Sequence, residues 1–377
     1  MRSPLRLLAQ DSAMLARWLD GWAGEVPGAG LFALVAERDR ALVPMIQAEC
    51  RARGVTLVGA VFPGLLSESE ISSEGAWLLP TLRSSPHVLL GDLPDDAEAA
   101  GRTVAMAAAA LRLPEPMEDA SARPTLLLLF DAMVPNLSSL LAAIHGELRG
   151  RVRYAGVSVG SETFQPMPCL FDAERLVGHG VAVLLVPGAV QAALAHGYPT
   201  TRSLGRATGT DSNRIDHIDG RPAFEAYRDM VRAEAGVELT AENLYTEGVH
   251  HPFGLVTAVD VLVRIPVALQ ADGSLSFIGE VPPNSALRVL RAPKPGEPHT
   301  VETLARAFGD ARRGDPLMTF YCAGRRAHFG AAAVDEVRML SERLSRPVLG
   351  ALSLGEVDTH PELGHPRFHN AGVLCVG

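Results

Sequence analysis

The sequence predicts an α/β protein in which repeated strand-helix-strand units form mostly antiparallel or mixed sheets covered by helices, as two interlocked halves. Two observations support this fold class. Short apolar runs alternate with segments of helical periodicity, and the same order of elements occurs three times along the 377 residues. The length also exceeds that of one ordinary domain, so a large core is available.

The first unit follows a short N-terminal helix. Met14, Leu15, Trp18 and Leu19 lie at helical spacing and predict that helix. The unit itself is predicted from three apolar strand patterns and one helical pattern, in the order strand 31–35, helix 40–53, strand 55–61 and strand 76–82.

The second and third units repeat this order. The second has strand 125–130, helix 137–148, strand 152–159 and strand 180–186. The third has strand 317–321, helix 331–344, strand 348–354 and strand 372–376. Self-similarity of this kind indicates one structural unit used three times.

A pair of glycines near the end of the second strand marks each unit. The pairs are Gly59 and Gly64, Gly156 and Gly160, and Gly350 and Gly355. An acid follows each second glycine, as Glu68, Glu162 and Glu356. Glycine at such a position either allows a tight turn or lets a backbone or ligand approach closely, and both interpretations remain open at this point.

A different segment separates the second unit from the third. Asp219-Gly220 indicates a hairpin, Pro222 suits the first turn of a helix at 223–232, and strand patterns at 255–269 and 275–290 flank a turn at 271–274. The preceding stretch 188–198 is the best boundary. We therefore predict an N-terminal helical segment (1–27), an N-terminal domain (28–190) and a C-terminal domain (191–377).

Composition excludes several functional classes. With 43 acidic and 34 basic residues the net charge is −9, which gives no general electrostatic attraction to nucleic acid or anionic lipid. The four cysteines are far apart, no apolar run is long enough to cross a bilayer, and the N-terminus lacks a signal-peptide pattern. We expect a cytoplasmic protein. Lys294 is the only lysine, so we expect no amine-based covalent catalysis.

One sequence motif suggests a hydrolase. Gly156-Val157-Ser158-Val159-Gly160 matches the G-x-S-x-G pattern of a nucleophilic serine, which requires a strand before it and a helix directly after it. Residues 161–169 contain two prolines and cannot open that helix. We therefore expect no enzyme, and a hydrolase using Ser158 is kept only as an alternative.

The histidines offer two other chemistries. His360, His365 and His369, with Glu362, form the densest group of possible metal ligands, although Gly364 and Pro366 prevent presentation on a helix. A solvated loop is the simpler interpretation, and whether the loop 360–369 binds metal stays open. The remaining candidates for an axial haem ligand are His145, His179, His196, His250 and His251.

Cys322 ends an apolar strand and precedes Gly324, Arg325 and Arg326. A guanidinium at such a strand end can bind a carboxylate or another anion, because it presents a fork of donors. The alternative is a buried cysteine beside solvent-facing arginines.

Several short segments of the C-terminal half stand in a characteristic order. They are PTTR at 199–202, NRI at 213–215, DGRPA at 219–223, VR at 263–264, FYCAGR at 320–325, GE at 355–356 and FHN at 368–370. The N-terminal half adds weaker matches at 59–64 and YAGVSVG at 154–160. Together these segments resemble the FIST family of sensory domains, and the resemblance covers about residues 28–377.

This resemblance implies a cytoplasmic sensor that binds a small molecule, such as an amino acid, and signals to a separate partner such as a histidine kinase or a cyclic-di-GMP enzyme. A haem-binding nitric-oxide sensor that regulates a partner histidine kinase is the alternative within the family. The predicted ligand-binding residues are Tyr321, Cys322, Arg325, Glu356, His369 and Asn370. Arg325 is expected to pair with a ligand acid, and Glu356 to receive an amine or orient Arg325.

Overall fold

The computed structural model describes residues 3–8, 11–23, 28–81, 86–186, 190–309 and 316–377, and every structural statement below refers to these residues. Parts of three predicted features lie outside them. These parts are residues 1, 2, 9, 10 and 24–27 of the N-terminal segment, Leu82 of the predicted strand 76–82, and residues 188 and 189 of the predicted boundary.

The first unit has eight elements rather than the four predicted. They are β1 (Leu5–Leu7), α1 (Ser12–Ala23), β2 (Gly30–Ala36), α2 (Val43–Ala52), β3 (Thr56–Phe62), β4 (Leu65–Ser67), β5 (Ile71–Ser72) and β6 (Ala76–Thr81). The N-terminal helix therefore belongs to the unit instead of preceding it.

The second unit repeats all eight elements in the same order. They are β7 (His87–Leu90), α3 (Ala97–Ala109), β8 (Thr125–Asp131), α4 (Leu137–Leu148), β9 (Arg153–Val159), β10 (Leu170–Asp172), β11 (Leu176–Val177) and β12 (Val181–Val186). Asp96 caps α3, because its side chain accepts a hydrogen bond from Ala99 N at 2.7 Å.

The third unit opens with β13 (Ala192–Ala195), after which the chain leaves it to form an inserted domain. That domain contains β14 (Gly205–Asp211), β15 (Arg214–Ile218), β16 (Arg221–Pro222), α5 (Ala223–Ala235), α6 (Leu244–Gly248), β17 (Phe253–Val256), β18 (Val261–Arg264), β19 (Pro266–Leu269), β20 (Leu275–Phe277) and β21 (Ala286–Val289). The predicted helix after Pro222 and the turn at 271–274 are both present. The predicted strand 255–269 is instead three short strands, since the chain turns at Thr257–Asp260 and the strand is interrupted again at Ile265.

The third unit then resumes. Its remaining elements are α7 (His299–Phe308), β22 (Leu317–Cys322), α8 (Ala323–Phe329), α9 (Ala333–Leu344), β23 (Val348–Ser353), β24 (Glu356–Thr359), β25 (Pro366–His369) and β26 (Val373–Val376). Apart from the inserted domain and α8, the order of elements matches the first two units.

The three units exchange strands in a ring. The sheets have the orders β1-β6-β2-β3-β10-β11, β7-β12-β8-β9-β24-β25 and β13-β26-β22-β23-β4-β5. In each sheet one central pair is parallel and the other pairs are antiparallel. The last two strands of every sheet come from another unit. The mixed sheets confirm the predicted fold class, and the exchange explains the interlocking.

The first glycine of each pair packs strand against strand. Gly59, Gly156 and Gly350 pair with the equivalent position of the neighbouring parallel strand. A Cβ atom on these glycines would lie 2.5 Å, 2.3 Å and 1.7 Å, respectively, from a carbonyl oxygen of that strand. Close backbone approach therefore explains the repeated glycine, and no ligand is needed.

The core explains why the central strands are apolar along their whole length. Helices cover one face of each sheet, and the other two units cover the opposite face, so β2 and β8 are buried throughout. One hydrophobic cluster joins residues of all three units. Within it, the rings of Phe62 and Phe320 stack with centroids 5.8 Å apart.

A buried arginine attaches the inserted domain to this ring of units. Arg264 is 1% exposed and donates to Phe368 O at 3.0 Å and to Glu280 O at 3.0 Å. Glu280 in turn accepts from Ser139 N at the start of α4, at 3.0 Å. The inserted domain therefore contacts both the second unit and the third.

Candidate ligand-binding site

The six residues predicted from the sequence surround one turn at the end of β25. Three of them bond to the backbone of that turn, residues 369–372. Cys322 Sγ accepts from Ala371 N at 3.1 Å, Arg325 Nη1 donates to Ala371 O at 3.1 Å, and Glu356 Oε2 accepts from Gly372 N at 3.0 Å. The fold thus brings strand ends of the third unit to the loop that precedes its closing strand.

Arg325 is fully buried and its donors are all taken by protein groups. Nε and Nη2 donate to the two carboxylate oxygens of Glu336 at 2.8 Å and 2.6 Å. Nη2 also donates to Thr300 Oγ1 at 2.8 Å, and Nη1 donates to His196 O at 2.5 Å as well as to Ala371 O. Because a guanidinium has five N–H donors, none is left for a ligand acid.

Glu336 on α9 therefore takes the place of the ligand acid that the sequence predicted as the partner of Arg325. Its Oε2 also accepts from the Tyr321 hydroxyl at 2.7 Å. Burial by itself lowers the pKa of Arg325, but the Glu336 carboxylate outweighs it and raises the pKa above its ordinary value. The arrangement is a buried ion pair that fixes α8, α9 and the turn 369–372 relative to each other.

Glu356 also holds this turn. Its two oxygens accept from Ser353 Oγ at 2.6 Å and from Gly372 N at 3.0 Å. Burial raises the pKa of the Glu356 carboxyl to about 8, so the group is largely protonated at neutral pH. No hydrogen bond joins Glu356 to Arg325, and the expected orienting contact is absent from this arrangement.

His369 and Asn370 have buried polar atoms without partners. Both ring nitrogens of His369 and Nδ2 of Asn370 lack a hydrogen bond, while Asn370 Oδ1 accepts from Ile265 N at 3.2 Å. Burial lowers the pKa of His369 well below its usual value, and the nearby His196 and Arg367 lower it further. Unpaired buried groups are costly, so these atoms are candidates for hydrogen bonds to a bound molecule.

His369 lies in the wall of a cleft of about 410 Å³, which we call the histidine cleft. Its charged and polar lining residues are His196, Asp260, Arg291, Glu297, His299, Thr303, Arg367 and His369. They come from the chain that leaves β13, the loop between β17 and β18, the chain that returns to α7, α7 itself, and β25. The cleft therefore lies where the inserted domain joins the third unit.

The walls of the histidine cleft carry both signs of charge. Arg367 pairs with Asp260 and with Asp358, and Arg291 Nη1 lies 3.3 Å from Glu297 Oε1. The Arg291–Glu297 pair is partly exposed, so its two charges are open to exchange partners. Mixed charges of this kind suit a small molecule that has a carboxylate and an ammonium group.

Two histidines in the cleft are close neighbours. Burial lowers the pKa of His196 to about 4, so this imidazole is neutral at physiological pH. Its Nδ1 accepts from Tyr198 N at 3.0 Å, which places the ring proton on Nε2. The His196 and His369 rings stack with centroids 6.0 Å apart.

The sequence prediction missed most of this cleft. Among the six predicted residues only His369 lines it, and the others lie behind its wall. Arg291 and Glu297 lie between β21 and α7, a stretch in which the sequence predicted no functional residue. The histidine and acidic residues of the cleft come from four separate segments, so no spacing pattern could have united them.

The serine motif lacks the geometry of a nucleophile elbow. Ser158 is buried in β9, and residues 160–169 form no helix. The strained strand-turn-helix that would expose the serine hydroxyl is therefore missing.

The histidine-rich loop has no metal geometry among the described residues. His360 and His365 stack with centroids 5.6 Å apart, and His360 Nδ1 accepts from Glu362 N and Leu363 N. Within the described part of the chain, no group of three or more His, Cys, Asp or Glu side chains could hold a metal ion.

The residues around the histidines do not fit haem. His250 Nδ1 bonds to His328 Nδ1 at 2.6 Å, and His179 faces Asp95 at 3.5 Å. His369 has free ring nitrogens, but carboxylates and guanidiniums line its cleft, whereas a porphyrin requires an apolar slot.

Comparison with known proteins gives the family. The model of the FIST N domain matches residues 31–221, and that of the FIST C domain matches residues 223–358. Comparison with curated proteins gave no match. Among the described residues, no helix has both the length and the apolar character needed to span a bilayer. The two family matches together cover most of the chain, which therefore belongs to the FIST family of sensory proteins.

Proposed function

We propose that this protein is a cytoplasmic sensor that binds a small zwitterionic molecule, such as an amino acid, in the histidine cleft and signals to a separate partner protein. The observation that carries the proposal is His369, a buried imidazole in the wall of a charged cleft: neither ring nitrogen has a hydrogen bond, and the nearest acid among the described residues, Asp358 Oδ1, lies 3.9 Å from Nε2. A ligand with hydrogen-bonding groups would recover the free energy that these unpaired nitrogens cost.

The roles of the cleft residues follow from their charges. Arg291 binds the ligand carboxylate. Its Nη1 lies 3.3 Å from Glu297 Oε1, and because this ion pair is partly exposed, Arg291 can exchange Glu297 for a ligand. Glu297 and Asp260 are the anions for an ammonium group. His369, neutral at physiological pH, adds a donor and an acceptor.

The other predicted residues support the site from behind. Tyr321, Arg325 and Glu336 form one hydrogen-bonded group, and Cys322 and Glu356 bond to the turn that carries His369 and Asn370. A rigid supporting layer of this kind keeps a binding site in its productive geometry.

The position of the cleft suggests how binding is reported. A ligand in contact with the inserted domain through Asp260 and with the third unit through His369 favours the arrangement that brings these two residues together. A partner, such as a histidine kinase or a cyclic-di-GMP enzyme, would respond to that change in population.

A thermal-shift panel of amino acids and small acids tests the proposal. A ligand present at a hundred times its Kd stabilises the folded state by about 2.7 kcal/mol, so the unfolding temperature rises measurably. We expect Arg291→Gln to abolish the shift. Arg326→Gln is the matched control, because Arg326 pairs with Glu162 away from the cleft. A panel without any shift, or an unchanged shift in Arg291→Gln, would refute the proposal.

The same preparations test the two alternatives. A Soret band after haem reconstitution, lost when one histidine is replaced, would support a haem-based sensor instead. A hydrolytic activity that Ser158→Ala removes would support an enzyme.

A further inference from the structure

A second cleft, with a volume of about 360 Å³, lies between the second unit and the loop that joins β24 to β25. We call it the arginine pocket. Its polar lining residues are Ser121, Arg123, Thr125, Arg153, Tyr154, Thr359 and His360. They come from the starts of β8 and β9 in the second unit and from the turn after β24 of the third unit. No Asp or Glu is among the described residues that line it.

The two arginines have donors that no described residue uses. Arg123 donates Nε and Nη2 to Met117 O at 2.9 Å and 2.6 Å, which leaves Nη1 without a partner beside Gly364. Arg153 donates Nη2 to Val190 O at 2.8 Å, and its Nε is buried without a partner. Each guanidinium is thus held in place by the backbone while part of its fork remains free.

One further donor lines the pocket. His360 Nδ1 accepts two backbone hydrogen bonds, so the proton of the neutral ring is on Nε2. Tyr154 also lines the pocket, but it follows Arg153 directly in β9 and its ring packs in the hydrophobic cluster that includes α4. Asp119 is the nearby acid, and its Oδ1 already accepts from Ser121 N and Ser121 Oγ at 2.8 Å and 2.6 Å.

The balance of charge in the pocket is opposite to that of the whole chain. The protein carries a net charge of −9, yet this pocket gathers two guanidiniums and an imidazole. Burial lowers the pKa of Arg153, and the like charge of Arg123 lowers it further. A bound anion would relieve that repulsion and accept the free hydrogen bonds.

We propose that the arginine pocket binds the oxyanion group, phosphate or carboxylate, of a small molecule at a site separate from the histidine cleft. Arg123 and Arg153 supply charge-assisted hydrogen bonds, and His360 supplies a neutral one. Because the pocket joins the second unit to the hairpin of the third, the anion also stabilises the strand exchange. This proposal stands or falls independently of ligand binding in the histidine cleft.

Inorganic phosphate and succinate are the probes, each compared with sodium chloride at the same ionic strength in thermal unfolding and calorimetric titration. A larger response to phosphate identifies a phosphate-bearing ligand, and a larger response to succinate identifies a carboxylate. We expect the double variant Arg123→Gln/Arg153→Gln to weaken binding on the order of tenfold to a hundredfold. Arg102→Gln, in an exposed pair with Glu98 on α3 of the second unit, is the control and retains binding.

If the double variant does not fold, the wild-type protein provides the test. Phenylglyoxal modifies accessible arginines, and a bound anion should protect the arginines that hold it. Mass spectrometry is expected to show that the effective probe protects Arg123 and Arg153 from modification, but not Arg102. The proposal is wrong if neither probe exceeds chloride in its effect, or if neither protects the two arginines.

Discussion

The buried pair between Arg325 and Glu336 gives the sharpest prediction of stability. Arg325→Gln removes both N–H donors from the Glu336 carboxylate, and it also removes the bonds to Thr300 Oγ1 and to two backbone carbonyls. Arg325 has no exposed surface, so water cannot replace these bonds. The perturbation leaves a buried carboxylate without its cation.

The expected cost follows from that geometry. Removing one partner of a buried ion pair lowers the free energy of unfolding by roughly 3–5 kcal/mol, which is a large share of the ~5–15 kcal/mol that stabilises a typical domain. Arg326→Gln breaks the exposed pair with Glu162 and should cost about 0–1 kcal/mol. The two substitutions are at adjacent positions and remove the same atoms. The difference between their costs therefore reports the burial of Arg325 together with the hydrogen bonds that it makes there.

Urea unfolding of the wild type and both variants measures the difference. We expect the midpoint of Arg325→Gln to fall far below that of Arg326→Gln. Adding Glu336→Gln to Arg325→Gln should recover part of the loss, because the uncompensated charge is then gone. Equal and small losses in the two single variants would refute the structural role of Arg325. In that case a direct contact with a ligand acid would again be the better explanation.

Three further predictions test other parts of the structure. Burial raises the pKa of Glu356 to about 8, so the folded state keeps a proton that the unfolded state releases above the ordinary carboxyl pKa, and the free energy of unfolding should decrease from about pH 5 to pH 8 by up to ~1.4 kcal/mol per pH unit. Urea unfolding at several pH values should show a flatter slope for Glu356→Gln. An unchanged slope would contradict this prediction. His369→Leu should leave thermal stability unchanged or higher, since it removes unpaired buried nitrogens, while abolishing ligand-induced shifts; retained shifts would exclude His369 from the site. Gly350→Ala should prevent folding, as measured by circular dichroism, because its Cβ would lie 1.7 Å from Thr319 O. The control Gly146→Ala on α4, which has open space around it, should stabilise the protein by about 0.5–1 kcal/mol. A folded Gly350→Ala protein would contradict the packing argument.

The three units were predictable from sequence because their central strands are apolar along their whole length and their glycines recur at one position. The exchange of β4, β10 and β24 between units was not predictable, since a strand of three or four residues carries too little pattern to reveal its partner. The equivalence of α1, α3 and α7 was also hidden, because the inserted domain separates α7 from β13.

The candidate site was predicted in part for a similar reason. Residues adjacent in the chain, such as Tyr321 and Cys322 or His369 and Asn370, were identified together and do surround one turn. Burial decided their roles, and burial is a property of the fold rather than of a motif. Arg325 and Arg326 are identical in sequence terms, yet only Arg325 is enclosed.

Calorimetric titration of the histidine cleft is the most direct test of the proposed function. The titrant is the amino acid that gives the largest thermal shift, and the proteins are the wild type, Arg291→Gln and Arg326→Gln. We predict saturable binding at one site in the wild type and in Arg326→Gln, with affinity lower by about tenfold or more in Arg291→Gln, because a charge-assisted hydrogen bond is lost. Equal affinity in all three proteins, or no binding by the wild type, would contradict the assignment of the histidine cleft as the sensory site.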